Sequence, residues 1–239
     1  MKLVALFVIL LSLSFPSYGN EVTLPCGLIP STDVTNAVVR IKSEKTEPKN
    51  EAAISFFSGV VIHQYLILTV AHGVITNDDV DITYTKNVTD KATIVKTIKG
   101  HVSNVDRNTD LALINTDEKI EVAPIPLALY SPNNVNELVW TIGYPLSSFQ
   151  QRISLGLVLG INLNTKRMLS TSFVTNGMSG GPVLYCQDKQ YKLTGIIHGY
   201  IVTQVPSLIP NEHSPVINIG HSVSSSIETI IEFLKKNRQ

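Results

Sequence analysis

The sequence predicts an all-β protein, a sandwich or barrel, with one helix at its carboxyl end. Short runs rich in β-branched and aromatic residues recur between turn residues along most of the chain. No long helical period alternates with them, which argues against a parallel α/β sheet. Only one segment, close to the carboxyl terminus, carries a capped amphipathic helix.

In chain order the expected strands are 38–41, 55–62, 66–71, 80–84, 92–99, 111–115, 138–142, 153–161, 168–173, 182–185 and 191–197. The second and third flank the turn His63-Gln64-Tyr65 and read as a hairpin. The last two flank the polar turn Gln187-Asp188-Lys189-Gln190 and read as another. Between strands 111–115 and 138–142 lies the stretch 123–136, with three prolines and little periodicity, the best linker candidate. It divides the chain into 20–128 and 129–239. No sequence repeat of fixed period occurs. The helix is expected over 225–237: Ser225 and Glu228 form an S-x-x-E capping box, and Ile227, Ile230, Ile231 and Leu234 make one apolar stripe. Lys235 and Lys236 sit at the negative end of its dipole.

The composition sets limits on function. Of 239 residues 44% are hydrophobic, and 19 basic side chains balance 19 acidic ones. With no net charge, nothing draws the chain as a whole to nucleic acid or to anionic lipid. Charged residues are 16%, below an average of roughly 25%, as in a chain with a sizeable core. The long apolar run, 3–13 after Lys2, is short of the ~20 residues that cross a bilayer. Followed by the turn-like 14–19 with small Ser17 and Gly19, it reads as a signal peptide cut after Gly19. A secreted protein without a membrane anchor is expected. In an oxidising compartment Cys26 and Cys186 could form a disulfide or stay free, and sequence alone leaves both open.

The chemistry begins at Gly177-Met178-Ser179-Gly180-Gly181-Pro182. A serine hydroxyl is a poor nucleophile until a base and amide donors serve it, and glycines let a backbone turn tightly enough to aim its N–H groups. The string also satisfies G-x-S-x-G, but that elbow needs a helix after the serine, then an acid and a histidine downstream. Here a hairpin follows. The base is therefore sought upstream, in Leu66-Ile67-Leu68-Thr69-Val70-Ala71-His72-Gly73, where an apolar strand ends in a histidine. Asn108-Thr109-Asp110 heads the wholly apolar Leu111-Ala112-Leu113-Ile114, where a carboxylate needs a partner such as an imidazole Nδ1–H. The order His72, Asp110, Ser179 lets an acid orient the base and the base activate the serine.

These three motifs resemble those of the trypsin-like serine peptidases. Thr69-Val70-Ala71-His72 is similar to T-A-A-H, Thr109 to Leu113 to the D-I-A-L motif, and Gly177 to Pro182 to G-D-S-G-G-P; Ser58 to Ile62 matches the hairpin before the histidine. The resemblance implies two antiparallel six-stranded β-barrels with the active site between them and a carboxyl-terminal helix. The amino-terminal barrel (20–128) would carry His72 and Asp110, the second (129–239) Ser179. It implies a serine endopeptidase with Gly177 and Ser179 N–H groups as the oxyanion hole, polypeptides as substrates and no cofactor or metal. No H-E-x-x-H, Cys/His cluster or P-loop stands in the chain.

Departures from the family narrow the resemblance. Met178 replaces the aspartate that in animal enzymes pairs with a newly cut amino terminus, so activity is expected once the signal is removed. The pattern is closer to bacterial secreted enzymes, including glutamyl endopeptidases and Deg-type proteases. No PDZ domain follows, so a monomer is expected rather than a Deg-type oligomer. By the resemblance Phe173 lies at the base of the primary specificity pocket, with Val174 beside it, and His198 and His221 border it. No carboxylate stands there, so Arg or Lys specificity is not expected; acidic and small or apolar preferences stay open. The second class of function is a catalytically silent protein of the same fold that serves as a binding or adhesion module. His63, His101 and His213 stand in no such pattern.

Overall fold

The computed structural model describes residues 25–46, 52–89, 92–132, 135–204 and 216–237; the signal segment and His213 lie outside them. Twelve strands close into two barrels. The first holds β1 (Val38–Thr46), β2 (Ala52–His63), β3 (Leu66–Thr69), β4 (Asp79–Thr89), β5 (Ala92–Asp106) and β6 (Leu111–Thr116). The second holds β7 (Leu138–Gly143), β8 (Arg152–Asn162), β9 (Arg167–Ser170), β10 (Pro182–Gln187), β11 (Gln190–Gln204) and β12 (Val216–Ser225). Around the first barrel the order is β1-β2-β3-β6-β5-β4, and the second repeats it as β7-β8-β9-β12-β11-β10. All these pairs are antiparallel, and β1–β4 and β7–β10 pairings close the rings. Closure removes the sheet edges.

Eleven of these strands fall on runs that the sequence marks. β12 does not, because the side chains it buries are hydroxyls: Ser222, Ser224 and Ser225 are each almost fully buried. They are satisfied within the barrel, Ser222 Oγ by Ser170 Oγ at 2.7 Å and Ser225 Oγ by the Ile196 N–H at 3.0 Å. A short helix, α1 (Thr32–Asn36), also lies where no period announced one.

One continuous apolar core runs through both barrels. Ile41, Val60, Leu68 and Ile114 of the first join Ile142, Leu184 and Ile196 of the second. The carboxyl-terminal helix α2 (Ile227–Lys236) seals it with Ile227, Ile230 and Phe233. Its cap is Ser226, not Ser225. Ser226 Oγ accepts the Thr229 N–H at 3.4 Å, while Ser225 is still in β12. Glu228 is then second in the helix rather than third, and its carboxylate accepts from Ser131, 2.8 Å from its hydroxyl, as well as from Ser226. Among the described residues no helix is long and apolar enough to cross a membrane.

The two cysteines are joined: Cys26 and Cys186 form a disulfide with Cα atoms 5.8 Å apart. It fastens the segment before α1 to β10. Trp140 Nε1 donates to Leu28 O at 2.8 Å and the Tyr191 hydroxyl to Gly27 O at 2.9 Å, so the same segment is held at three points.

Candidate active site

His72 stands on a single 3-10 turn, Ala71–Gly73, directly after β3. Arg107 holds that turn from across the β5–β6 connection, donating to the carbonyls of Ala71 and, at 2.6 Å, of Val74. No sequence pattern flags Arg107. Asp110 sits just before β6 in the left-handed region (φ 56°), which Asp and Asn tolerate better than other side chains. That conformation lets it grip the histidine twice. The His72 N–H donates to Oδ1 at 2.9 Å, and His72 Nδ1 lies 2.8 Å from Oδ2. An ionised carboxylate only accepts, so the ring proton is on Nδ1 and Nε2 carries the lone pair.

Burial pushes the Asp110 carboxyl up, but hydrogen bonds and charge from His198 and His72 outweigh it and hold the group well below the usual carboxylate range. His198 is therefore part of this cluster. Its Nδ1 is 3.2 Å from the same Oδ2, and its side chain is 7% exposed. The approach is an ion-pair distance without the alignment of a good hydrogen bond, and both ring nitrogens are otherwise buried without a partner among the described residues. The carbonyl of the same residue accepts the Ser179 hydroxyl at 3.0 Å. One residue of β11 thus touches both the acid of the first barrel and the serine of the second.

Ser179 lies on the loop before β10, and Ser58 of β2 clamps that loop. The Ser58 N–H donates to Ser179 O and its hydroxyl to Gly177 O, both at 2.8 Å, while the Tyr144 N–H donates to Ser58 Oγ at 2.9 Å. The Asn176 carbonyl is taken by the Leu146 N–H at 2.7 Å. Because a trans peptide points its N–H opposite to its C=O, the Gly177 N–H is turned away from Leu146. Met178 is fully buried among Val139, Val158, Val174, Val183 and Ile197.

The loop's glycines are required by space. Gly180 has φ +86°, and a Cβ there would stand 2.0 Å from Ser58 O and 2.3 Å from Thr69 Oγ1. Gly180→Ala is expected to cost about 3 kcal/mol or more, from the left-handed backbone and the clash together. Urea unfolding measures it, and a midpoint within error of the parent would contradict it.

The residues expected at the specificity pocket lie as follows. Phe173 is 40% exposed, with the Arg152 guanidinium 4.6 Å above its ring. Val174 is buried, and its carbonyl accepts from Asn218 Nδ2 of β12 at 2.8 Å. His221 is half-buried on β12. His198, expected beside the pocket, turns toward Asp110 instead. Tyr200, which the sequence did not single out, bridges from β11 to Asn176 Oδ1 at 3.0 Å. Among the described residues no group of three or more His, Cys, Asp or Glu could hold a metal ion.

No curated protein matches the chain significantly in sequence. The family model of the trypsin-like peptidase domain matches residues 57–196, which contain His72, Asp110 and Ser179. With two six-stranded barrels of one topology and a match over more than half its length, the chain belongs to the trypsin-like peptidase family.

Proposed function

We propose that the protein is a secreted serine endopeptidase that acts through His72, Asp110 and Ser179. The observation that carries this reading is the pair of contacts made by Asp110 and Ser179 to one residue, His198. They bring the His72–Asp110 couple and the serine to a common point between the barrels. In the reaction the Ser179 hydroxyl leaves the His198 carbonyl and turns to His72 Nε2, which takes its proton as Oγ attacks the scissile carbonyl. The Gly177 and Ser179 N–H groups hold the oxyanion. The protonated His72 then gives its proton to the leaving amine, and an acyl-enzyme remains for water to hydrolyse by the same steps. Asp110 keeps the ring in its Nδ1–H form and stabilises the imidazolium.

The joined cysteines support an oxidising destination. A positive charge beside Phe173 disfavours a Lys or Arg side chain there, which supports a preference other than that of trypsin.

The test is intact-mass analysis after exposure to a fluorophosphonate, in which an activated serine displaces fluoride. One adduct is expected on the wild type and none on Ser179→Ala. An adduct on neither would favour the silent binding module. Cleavage of a peptide library is expected to show no preference for Lys or Arg before the cut, and such a preference would overturn that part.

A further inference from the structure

We propose that His198 is a positioning residue for the catalytic carboxylate, a second imidazole on Asp110 whose protonation, as the pH falls, switches the triad off. This inference rests on the catalytic reading above.

The fold aims this side chain by an irregularity of β11. Ile197 pairs with Ser224 and Gly199 with Val223, so His198 is the extra residue of a β-bulge. A bulge re-aims a side chain out of the alternation that a regular strand would impose. The bulge thus aims this ring at Asp110, although the family resemblance sets His198 beside the specificity pocket. The side chain is 7% exposed, and its Nδ1 and that of His72 approach the same oxygen, at 3.2 and 2.8 Å.

Two imidazoles on one carboxylate make the charge state of each matter to the other. With His198 neutral and protonated on Nδ1, it presents an N–H to Asp110 and leaves the full negative charge to stabilise the imidazolium that forms at His72. With His198 cationic, a positive charge stands against the same oxygen. The carboxylate is then compensated, and a second imidazolium close by is opposed by like charge. Activity therefore requires neutral His198 as well as neutral His72. Asp110, held well below the usual carboxylate range, stays ionised throughout this interval.

The surroundings allow the ring to exchange its proton. His198 borders a cavity of about 220 Å³, walled also by Asn108, Thr109, Arg167 and Glu232. Thr109 Oγ1, like both nitrogens of the His198 ring, is buried without a partner among the described residues. The charged groups facing this space are Lys166 and Arg167 from the β8–β9 turn and β9, and Glu232 from α2. Lys166 is neutralised by Glu232 at 2.6 Å. Asp110 and, through it, His72 complete the set.

The experiment compares the pH dependence of kcat/KM in the wild type, His198→Asn and His198→Ala, using the protein expressed from its full-length chain. Asn keeps a donor near the position of Nδ1 but does not titrate. The wild type is expected to lose activity in acid with the steepness of two protons, and both variants with that of one. His198→Ala is expected to lose of the order of tenfold in kcat with KM little changed, as a loosened acid misplaces the base; Asn restores part of it. A residue that merely packs would leave the steepness unchanged, and unchanged steepness overturns the proposal.

A second readout does not depend on turnover. In the Ser179→Ala background, the His72 ring titration followed by NMR is expected to be biphasic with His198 present and monophasic with His198→Asn. Superimposable curves overturn the inference even if the wild type reacts with fluorophosphonate. A failure to label, with coupled titrations intact, overturns the catalytic reading and leaves the pairing of the rings standing.

Discussion

Replacing Asp110 with Asn is expected to lower kcat by about 10⁴-fold, equivalent to about 5 kcal/mol of transition-state stabilisation. The substitution is mild in shape. Asn accepts the left-handed conformation that Asp110 adopts, and its amide oxygen can still receive the His72 N–H at the place of Oδ1. What changes is the group at Oδ2. An amide NH₂ there donates, so His72 must turn an acceptor toward it. The ring proton moves to Nε2, and the base that Ser179 needs is lost. The same NH₂ would also face the His198 ring, 3.2 Å from that oxygen in the parent. The loss should appear in kcat and in the rate of fluorophosphonate labelling alike, with KM nearly unaltered. Equal rates in variant and parent would mean that no triad operates. The carboxylate has a second consequence. Since its folded value lies below the ordinary one, it contributes stability above the usual carboxylate range and loses it only as pH falls through the folded value. Asp110→Asn removes that contribution at neutral pH, so a modest fall in stability accompanies the fall in rate.

The legible parts of this molecule are those where one local rule decides. Strands such as β6, with Leu111 to Ile114 all buried, announce themselves because an apolar run of that length has nowhere else to go. The serine loop is legible because its glycines are forced by contacts of 2.0 to 2.5 Å that no other residue could survive. Illegible features arise where a tertiary partner overrides local pattern. β12 looks polar because its hydroxyls find their hydrogen-bond partners on the neighbouring strands, Ser170 Oγ of β9 and the Ile196 N–H of β11. The helix begins one residue later than its capping box suggests because the Ser225 hydroxyl is claimed by the Ile196 N–H. The contact of His198 with Asp110 is illegible because a bulge is a property of the pairing, not of the strand that contains it. Ser58 is a modest small residue in the sequence. Only the closure of two barrels makes it the clamp of the Ser179 loop, through its N–H and its hydroxyl.

Removing the disulfide, by Cys26→Ser with Cys186→Ser or by reduction, is expected to cost about 5 kcal/mol in the chain-entropy account. The two cysteines are 160 residues apart, so the closed loop contains the whole first barrel and β7 to β9, together with His72, Asp110 and Ser179. A loop of that length loses much freedom in the unfolded chain when it is tied. The folded state has its own reason to depend on the bond. Without it, the segment at Cys26 is held to the second barrel by two hydrogen bonds, from Trp140 Nε1 to Leu28 O and from the Tyr191 hydroxyl to Gly27 O. At typically about 1 kcal/mol each, those contacts cannot replace a covalent tie. For a chain of this size the loss corresponds to a fall in Tm of roughly 10 to 20 °C, measured by calorimetry. The double-serine variant, insensitive to reductant, should melt where the reduced parent does. A variant that melts with the oxidised parent would show that the packing of Trp140 against Tyr191, rings edge-on at 5.1 Å, already fixes this end of the chain. Such a result would place the stability of the junction in its aromatic contacts rather than in its sulfur.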